Sequence, residues 1–386
     1  MSVAKHFVLA AGGTGGHMVP AAALAAELIR RGHHVALVSD ERGVRFPGLF
    51  EGIQTHILPA GRLGGGPLGY LKATRAMLKG RAMAIELYKS FRPDAVIGFG
   101  GYPALPALLG AFNQKIPTAV HEQNAVLGRV NRLVARKVDA IATSYAEVER
   151  LGGKLRDKTY LVGNPVRDAV LALRAKPYPL LEEDGIFRVL VTGGSQGASV
   201  LSRVVPDGLS LLPLAFRRRL QVTHQARIED IEACRAKYAD LSIAADLATY
   251  LPDLPEQLAW AHVVIARAGA STLAELTCAG RPAILVPLPS ATDDHQTVNA
   301  REMTQAGGAR TIQQSSFTPV ELAKQMQKLG LDPAALQNAA ARARACGRPE
   351  AASDLADLVE SLGNTRGDMP IGAPQRRNPS QKAAFA

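Results

Sequence analysis

The sequence predicts an α/β protein made of two doubly wound halves, each a parallel sheet covered by helices. From residue 7 to residue 162, short apolar runs alternate with longer helix-like segments, which is typical of parallel sheets. A strand, glycine turn and helix at residues 7–28 recur as a similar pattern at residues 188–198. The 386 residues, 47% of them hydrophobic, suffice for two domains with separate cores.

The first turn is the stretch Gly-Gly-Thr-Gly-Gly-His at residues 12–17, which follows the apolar run 7–11 and precedes an alanine-rich helix. Glycines let the backbone approach a ligand closely, and the N–H groups that open a helix suit an anion such as pyrophosphate. Turns without ligands carry glycines too. The spacing therefore makes this stretch a candidate phosphate loop.

Further strands of the first half are expected at the apolar runs 35–38, 55–58, 95–98, 118–120 and 140–142. In a doubly wound sheet, ligands bind beyond the carboxyl ends of the strands. The candidate functional residues are therefore those that follow each run: His17, the stretch Gly100-Gly101-Tyr102 and the stretch His121-Glu122-Gln123-Asn124.

The segment 68–92 mixes apolar residues with the cations Lys72, Arg75, Lys79 and Arg81. Cations around an apolar stripe are typical of a helix that lies on an anionic membrane surface. An ordinary amphipathic helix with its stripe in the core has the same pattern. We expect the inner half of the stripe to be buried and the exposed rim to contact the membrane.

The domain boundaries follow from breaks in the apolar pattern. We expect a first domain at residues 1–165, a second at 166–345, a terminal helix at 346–363 and a disordered tail at 364–386, and we place the interdomain linker in the irregular stretch 176–184. Strands of the second half are expected at 188–192, 220–223, 241–244, 263–266, 283–286 and 309–312.

The net charge of +11 and the pI of about 9.7 indicate an anionic partner. An aromatic content of 5%, without a helix-turn-helix or stacking motif, argues against nucleic acid. Cys234, Cys278 and Cys346 are too widely spaced for a metal cluster or disulfide framework, which favours a reducing compartment. No apolar run reaches the roughly 18 residues of a membrane span, so we expect a soluble or peripheral protein.

The second half has its own candidate phosphate site at residues 266–275. The N–H groups of Ala270, Ser271 and Thr272 would hold nucleotide phosphates, and Glu275 would accept bonds from ribose hydroxyls. A capping box is the alternative, but the spacing from Ser271 to Glu275 is one residue too long for it. No Asp-x-Asp pair occurs in the chain, so the chemistry requires no cofactor and a divalent cation is optional.

Six motifs in order, together with this site, carry a family resemblance. They are the stretches 12–17, 121–124, 163–167, 193–198, 267–272 and 294–296. In this set the chain resembles the MurG family of UDP-N-acetylglucosamine transferases over about residues 5–362. The family resemblance implies a GT-B fold, in which two Rossmann-like domains face each other across a cleft and the C-terminal helix packs back on the N-terminal domain.

The resemblance also implies a function. Family members invert the anomeric centre as they move N-acetylglucosamine from UDP-GlcNAc to the undecaprenyl-pyrophosphoryl-muramyl-pentapeptide, lipid I, and so form lipid II for peptidoglycan. This implies roles in cell-wall biogenesis, cell shape, cell division and the cell cycle. It also implies a peripheral position on the cytoplasmic face of the cell inner membrane, with the first domain on the acceptor and membrane side and the second binding the UDP-sugar.

Contacts with UDP-GlcNAc carry over from the family motifs residue by residue. Leu251 would contact the uracil through its backbone. The positions are Thr14, Gly15, Gly16, Asn124, Arg167, Ser195, Leu251, Ala270, Ser271, Thr272, Leu273, Ala274, Glu275 and Gln296.

An inverting displacement needs a base for the acceptor hydroxyl. His17 is our first candidate, because an unperturbed imidazole titrates near neutral pH; a role as a cap or as a donor to the acceptor pyrophosphate is the alternative. Glu122 and His121 are rival bases. Arg167 would stabilise the charge of the departing diphosphate.

Three other functions remain open from the sequence alone. A dinucleotide-dependent oxidoreductase would use Asp40 on the ribose, although the third glycine of its motif is missing. A related transferase would act on diacylglycerol. A non-catalytic basic protein would bind membrane or nucleic acid.

Overall fold

A computed structural model describes residues 3–43, 48–61, 66–182, 185–194, 197–330 and 332–364. The chain forms two compact units. The first comprises Met1–Gln123, Leu127–Pro165 and Glu350–Ala386, and the second comprises Asn124–Val126 and Val166–Pro349. The interdomain linker expected at 176–184 is wrong: this stretch falls within the second unit, because Leu181 lies in that unit's core with Tyr178 packed against it, and the change of unit lies between Pro165 and Val166.

The first unit is built on a seven-stranded parallel sheet in the order β3-β2-β1-β4-β5-β6-β7. The apolar runs predicted six of these strands, whereas β7 has a half-buried Thr-Tyr-Leu sequence that stands out less. Strands β1 to β3 are added toward one edge of the sheet and β4 to β7 toward the other, so the strand order reverses between β1 and β4. Doubly wound folds bind ligands at this point. The strands are β1 (His6–Ala10), β2 (His34–Ser39), β3 (Gln54–Ile57), β4 (Ala95–Gly98), β5 (Thr118–Glu122), β6 (Ala140–Thr143) and β7 (Thr159–Leu161).

Helices cover both faces of this sheet because successive side chains of a strand point to opposite faces. In β1, Phe7 and Leu9 pack with α1 and the last helix of the chain, whereas Val8 and Ala10 pack on the side of α2 and α3. The helices are α1 (Gly15–Arg30), α2 (Gly66–Phe91), α3 (Ala104–Gln114), α4 (Arg129–Val134) and α14 (Ala351–Asn364).

The terminal helix α14 runs over Ala351–Asn364, a few residues later than expected, and packs against α1. Arg31 at the end of α1 donates hydrogen bonds to Asp357, Glu360 and Ser353 of α14. Asn364, expected to begin a disordered tail, is the last residue of this helix. The rest of that prediction, residues 365–386, lies outside the described residues.

The second unit holds a six-stranded parallel sheet in the order β10-β9-β8-β11-β12-β13. Its strands are β8 (Phe187–Thr192), β9 (Leu220–Gln225), β10 (Ala244–Ala248), β11 (Val263–Ala266), β12 (Ala283–Leu285) and β13 (Ala309–Thr311). Its helices are α5 (Asp168–Leu171), α6 (Ser199–Ser210), α7 (Leu214–Arg217), α8 (Ile231–Asp240), α9 (Leu254–Trp260), α10 (Ala270–Ala279), α11 (His295–Gln305), α12 (Pro319–Gly330) and α13 (Pro333–Ala345).

One strand of the second unit begins later than the apolar run predicts. The run 241–244 was expected to be a strand, but β10 starts only at Ala244. Ser242 takes a left-handed backbone conformation with φ of 53°, so residues 241–243 form the turn that ends α8. Across the described parts of both units, no helix is long and apolar enough to span a membrane.

Candidate active site

The glycine turn of the first unit lies at the carboxyl end of β1 and leads directly into α1. Thr14 precedes the helix with an extended backbone, and Gly13 has φ of +84°, a conformation that side chains disfavour. The first turn of α1 contains no acidic residue, so no carboxylate of its own offsets the positive end of the helix dipole.

The imidazole of His17 is oriented by this turn. Its Nδ1 lies 3.1 Å from the carbonyl oxygen of Gly12. A carbonyl can only accept, so Nδ1 carries the proton and Nε2 is the basic nitrogen of the neutral ring. The stretch after β4 packs on the same ring: a β-carbon on Gly101 would lie 3.3 Å from Nδ1, and one on Gly100 3.4 Å from Nε2. The glycines at 100 and 101 therefore make room for the imidazole.

His121, one of the two rival bases, is buried at the end of β5. Its Nε2 donates to the carbonyl oxygen of Gly163 at 2.8 Å, and its Nδ1 accepts from the amide of Gln123 at 3.0 Å. Burial lowers the pKa of His121 to about 4, and the nearby His17 adds to the effect. Both ring nitrogens of His121 are thus engaged in hydrogen bonds within the first unit.

Glu122, the other rival, is 2% exposed. Its Oε2 accepts from the backbone N–H of Gly128 at 2.7 Å and from the side-chain amide of Asn131 at 2.8 Å. The carboxylate therefore caps the start of α4. This geometry favours His17 over Glu122 as the base.

In the second unit, the candidate phosphate site is the start of α10, with Gly269 as its N-cap residue. Nε and Nη2 of Arg167 donate to the same oxygen of Glu275 at 3.1 and 2.7 Å. Burial raises the pKa of the Glu275 carboxyl, and the Arg167 charge opposes that shift. The sequence predicted both residues near the nucleotide and did not predict that they pair. The Oγ of Ser271 is buried, without a hydrogen-bond partner in the described part of the chain.

The opposite end of α10 is held by Arg281, which is fully buried. Its guanidinium donates to the main-chain oxygens of Ala279 and Gly280 at the end of α10 and to those of Leu258 and Ala259 at the end of α9. A cation at helix carboxyl ends is favourable for the helix dipole. Burial still lowers the pKa of Arg281 to about 10.

Asn124 belongs to the second unit rather than to the first domain in which the sequence placed it. Its side-chain oxygen accepts from Asn299 at 3.0 Å, and Asn299 also accepts from the backbone N–H of Ala125 at 2.8 Å. Sequence reasoning missed Asn299. The available signal was its spacing, since it lies three residues after Gln296 on the same face of α11.

The remaining predicted UDP-GlcNAc contacts differ in what the structure shows of their side chains. Gln296 accepts from the backbone N–H of Leu288 at 2.9 Å. The side chains of Leu251 and Leu273 are packed in the core of the second unit, and Ala274 lies against it, so these residues offer a ligand their backbone atoms. Ser195 lies outside the described residues. Thr14, Gly15, Gly16 and His17 are in the first unit, whereas Asn124, Arg167, residues 270–275 and Gln296 are in the second.

Two further features are the contacts of Arg267 and the possibility of a metal site. Arg267, the first residue of the motif 267–272, donates to the carbonyl oxygens of Val286 and Pro287 and to the side chain of Gln314. Within the described ranges, no three His, Cys, Asp or Glu side chains come together as metal ligands do.

Comparison with known proteins bears on the whole chain. The glycosyltransferase family 28 N-terminal domain matches residues 7–143, and the C-terminal domain of the same family matches residues 188–359. A crystal structure of Acinetobacter baumannii MurG is 30% identical, covers 92% of this chain and 99% of its own, and superposes with a TM-score of 0.74.

Curated relatives are more similar still. The UDP-N-acetylglucosamine–N-acetylmuramyl-(pentapeptide) pyrophosphoryl-undecaprenol N-acetylglucosamine transferase of Zymomonas mobilis is 63% identical over 96% of this chain and 95% of its own length. The protein of the same name from Novosphingobium aromaticivorans is 64% identical over 94% and 93%. These matches confirm the predicted resemblance and overturn the oxidoreductase and non-catalytic alternatives. With its two doubly wound units and both domain matches, the chain belongs to glycosyltransferase family 28.

Proposed function

We propose that the protein transfers N-acetylglucosamine from UDP-GlcNAc to undecaprenyl-pyrophosphoryl-N-acetylmuramyl-pentapeptide, giving the disaccharide lipid precursor of peptidoglycan. One observation carries this proposal: relatives more than 60% identical over nearly the whole chain bear the name of that transferase. The geometry of His17 and of α10 supplies groups for both halves of the reaction.

On the acceptor side, His17 is the general base. Its Nδ1 proton is held by the Gly12 carbonyl, so Nε2 takes the proton of the attacking sugar hydroxyl. The hydroxyl oxygen bonds to the anomeric carbon as the bond from that carbon to the diphosphate oxygen breaks. The bonding electrons leave with UDP, and a single displacement inverts the anomeric centre. A positioned base contributes about 10²- to 10⁴-fold to such a step.

On the donor side, the leaving diphosphate gains negative charge as the bond breaks. The N–H groups of Ala270, Ser271 and Thr272 at the positive end of α10 stabilise that charge. Arg167 adds a cation whose guanidinium is held by Glu275, and the pairing keeps both side chains in place. Asn124 and Gln296, with Ser195, complete the donor contacts, and Thr14, Gly15 and Gly16 let the sugar approach the backbone.

Transfer to diacylglycerol is the second candidate, since donor loops of such transferases look alike. The acceptor name shared by the relatives favours the muramyl-pentapeptide lipid. Purified protein with labelled UDP-GlcNAc and a short-chain analogue of that lipid should release UDP only when the acceptor is present. Diacylglycerol vesicles serve as the competing acceptor. UDP release with diacylglycerol alone, or release independent of any acceptor, would contradict the proposal.

The acceptor is a lipid, so we also propose that α2 docks the first unit on the cytoplasmic leaflet of the inner membrane. Leu68, Leu71 and Leu78 are 74%, 50% and 57% exposed, and Lys72, Arg75 and Lys79 are exposed beside them. These positions recur every three or four residues and share one face of the helix. Ala73, Ala84, Leu87 and Tyr88, on the other face, are buried in the core. Arg81 has a buried Nε and contributes less than the sequence suggested.

Vesicle pelleting tests the membrane contact. Changing Lys72, Arg75 and Lys79 to Gln should abolish the preference for phosphatidylglycerol over phosphatidylcholine vesicles, and changing Leu68, Leu71 and Leu78 to Ser should weaken binding to both. The matched control changes Leu180, Leu211 and Leu214 to Ser, which are 68%, 50% and 52% exposed in the second unit. Equal losses in the control and the α2 variants would refute a specific surface. Roles in cell shape and division follow from the proposed pathway, and depletion of the protein in its host tests them.

A further inference from the structure

Asp40 and His17 are joined through one peptide group. The N–H of Gly13 donates to Oδ1 of Asp40 at 2.9 Å, and the carbonyl of Gly12 accepts from Nδ1 of His17 at 3.1 Å. These two atoms belong to the same peptide, the one between Gly12 and Gly13. The chain of bonds therefore runs from a carboxylate through a peptide to an imidazole.

The Asp40 carboxylate is itself firmly held at the end of β2. Its side chain is 16% exposed. Oδ1 also accepts from the N–H of Gly43 at 2.9 Å, while Oδ2 accepts from Nε and Nη2 of Arg42 at 3.1 and 3.0 Å. The carboxylate thus has defined partners on both oxygens.

The close approach of Asp40 also explains a glycine. A β-carbon on Gly12 would lie 2.7 Å from Oδ1 of Asp40, closer than real contacts allow. Gly12 is therefore required for the carboxylate to reach the peptide, in addition to any ligand that the loop receives.

We propose that Asp40 is a positioning residue for His17, acting through the Gly12–Gly13 peptide. A charge-assisted bond to a peptide N–H polarises that peptide and strengthens its carbonyl as an acceptor. The stronger acceptor holds the proton on Nδ1 and leaves Nε2 as the basic nitrogen. In Ser-His-Asp triads the carboxylate contacts the imidazole directly and performs this same task of fixing tautomer and orientation. Here a backbone peptide stands between the two side chains.

The effect of Asp40 on kcat rests on the proposed transferase function, whereas its effect on the tautomer of His17 does not. The test therefore has two readouts. The first is the ¹⁵N spectrum of histidine-labelled, substrate-free full-length protein, with the His17 signals identified by their loss in His17→Gln. The second is kcat with UDP-GlcNAc and the lipid analogue. Failure of the proposed function would remove the second readout and leave the first intact.

Three variants separate the contributions. Asp40→Ala removes the acceptor, so neutral His17 should become a mixture of tautomers and kcat should fall about tenfold or more, within the range of base catalysis. Asp40→Asn keeps an oxygen that can accept from Gly13 and Gly43, so it should keep the Nδ1–H tautomer and lose less than Asp40→Ala. Arg42→Gln leaves Asp40 in place and should stay within about twofold of the parent, the effect of a half-exposed ion pair.

The control is Asp207→Ala, which removes a carboxylate that is also paired with a cation, Lys237, but lies in the second unit and is more exposed, at 41%. If Asp40→Ala does not fold, Asp40→Glu displaces the same oxygens by one methylene and should show the same mixture of tautomers. An unchanged His17 tautomer in the displaced or truncated variant would overturn the proposal. So would a loss in Arg42→Gln as large as that in Asp40→Ala, because the cation would then be the active group.

Discussion

The turn between β1 and α1 and the turn between β11 and α10 share one local pattern and solve different problems with it. In the first turn, Gly13 takes φ of +84°, and its N–H donates to the Asp40 side chain, which reaches the turn from the end of β2. In the second, the N-cap Gly269 has an ordinary φ of −69°, and Glu275 inside α10 pairs with Arg167, which immediately precedes α5.

This difference separates two uses of glycine. At Gly12 and Gly13, the missing side chain allows a carboxylate and an unusual backbone conformation that together orient an imidazole. At Gly269, the backbone conformation is open to any residue. The first turn is therefore suited to placing a base, and the second to presenting N–H groups to an anion.

The largest expected effect is on the base. His17→Gln should lower kcat about 100-fold or more, because the hydroxyl proton loses its acceptor. UDP affinity, measured by calorimetry, should stay within about threefold, since the proposed phosphate site is in the other turn. The control is His34→Gln at an exposed histidine. Retention of a tenth or more of the parent kcat would show that the first turn does not supply the base.

A double-mutant cycle at Arg167 and Glu275 tests the second turn. Arg167→Met leaves a buried carboxylate without its cation and should lower the free energy of unfolding by about 3 kcal/mol. The double variant that also carries Glu275→Leu should be more stable than Arg167→Met alone. Both of these variants should bind UDP more weakly than the parent protein. Chemical denaturation and calorimetry measure the two quantities. Purely additive losses of stability would contradict a coupled pair.

Gly101→Ala changes the stretch after β4 that packs against His17, and should therefore disturb the first turn. The new β-carbon would lie 3.3 Å from the His17 ring, and kcat should fall about tenfold because the base is displaced. Gly32→Ala is the matched control, with φ of +86° against +72° and no atom within 4 Å of the added carbon. Both changes should cost about 1 kcal/mol of stability from backbone strain alone. Equal kcat values in the two variants would contradict the contact with His17.

The last prediction concerns stability alone and rests on one buried histidine in each unit. Burial lowers the pKa of both His121 and His224 to about 4, well below the usual 6.5. Between these values the unfolded chain binds more protons, so stability is complete above pH 6.5 and falls as the pH drops toward 4. The slope is at most about 1.4 kcal/mol per pH unit for each histidine.

Melting temperatures from pH 7.5 to pH 4.5 check this dependence. His224→Asn should reduce the slope, while the contributions of His121 and of His262, whose pKa burial also lowers to about 4, persist. An unchanged slope in that variant would show that His224 does not titrate as its burial requires.

Local sequence was sufficient for the pattern of each half. Buried parallel strands are short apolar runs and glycine turns mark the starts of helices, so twelve of the thirteen described strands could be expected from the chain alone. The half-buried β7 and the late start of β10 were missed, because a weak pattern and a left-handed Ser242 are not visible in hydrophobicity. As site residues, His17, Arg167 and Glu275 stay predictions: His17 was predicted from its place after a strand, Glu275 from its place one turn into a helix, and Arg167 from the family resemblance.

What only the tertiary structure decided is which residues meet. Asp40 reaches Gly13 across 27 residues of chain, and Arg167 reaches Glu275 across 108. Asn124 belongs to the second unit although Gln123 and Leu127 on either side belong to the first, and the exposed leucines of α2 are separated from the buried ones only by packing. The sequence determined the turns, strands and helices because those depend on neighbours along the chain. The partners of each charge depend on packing between distant segments, which no local pattern encodes.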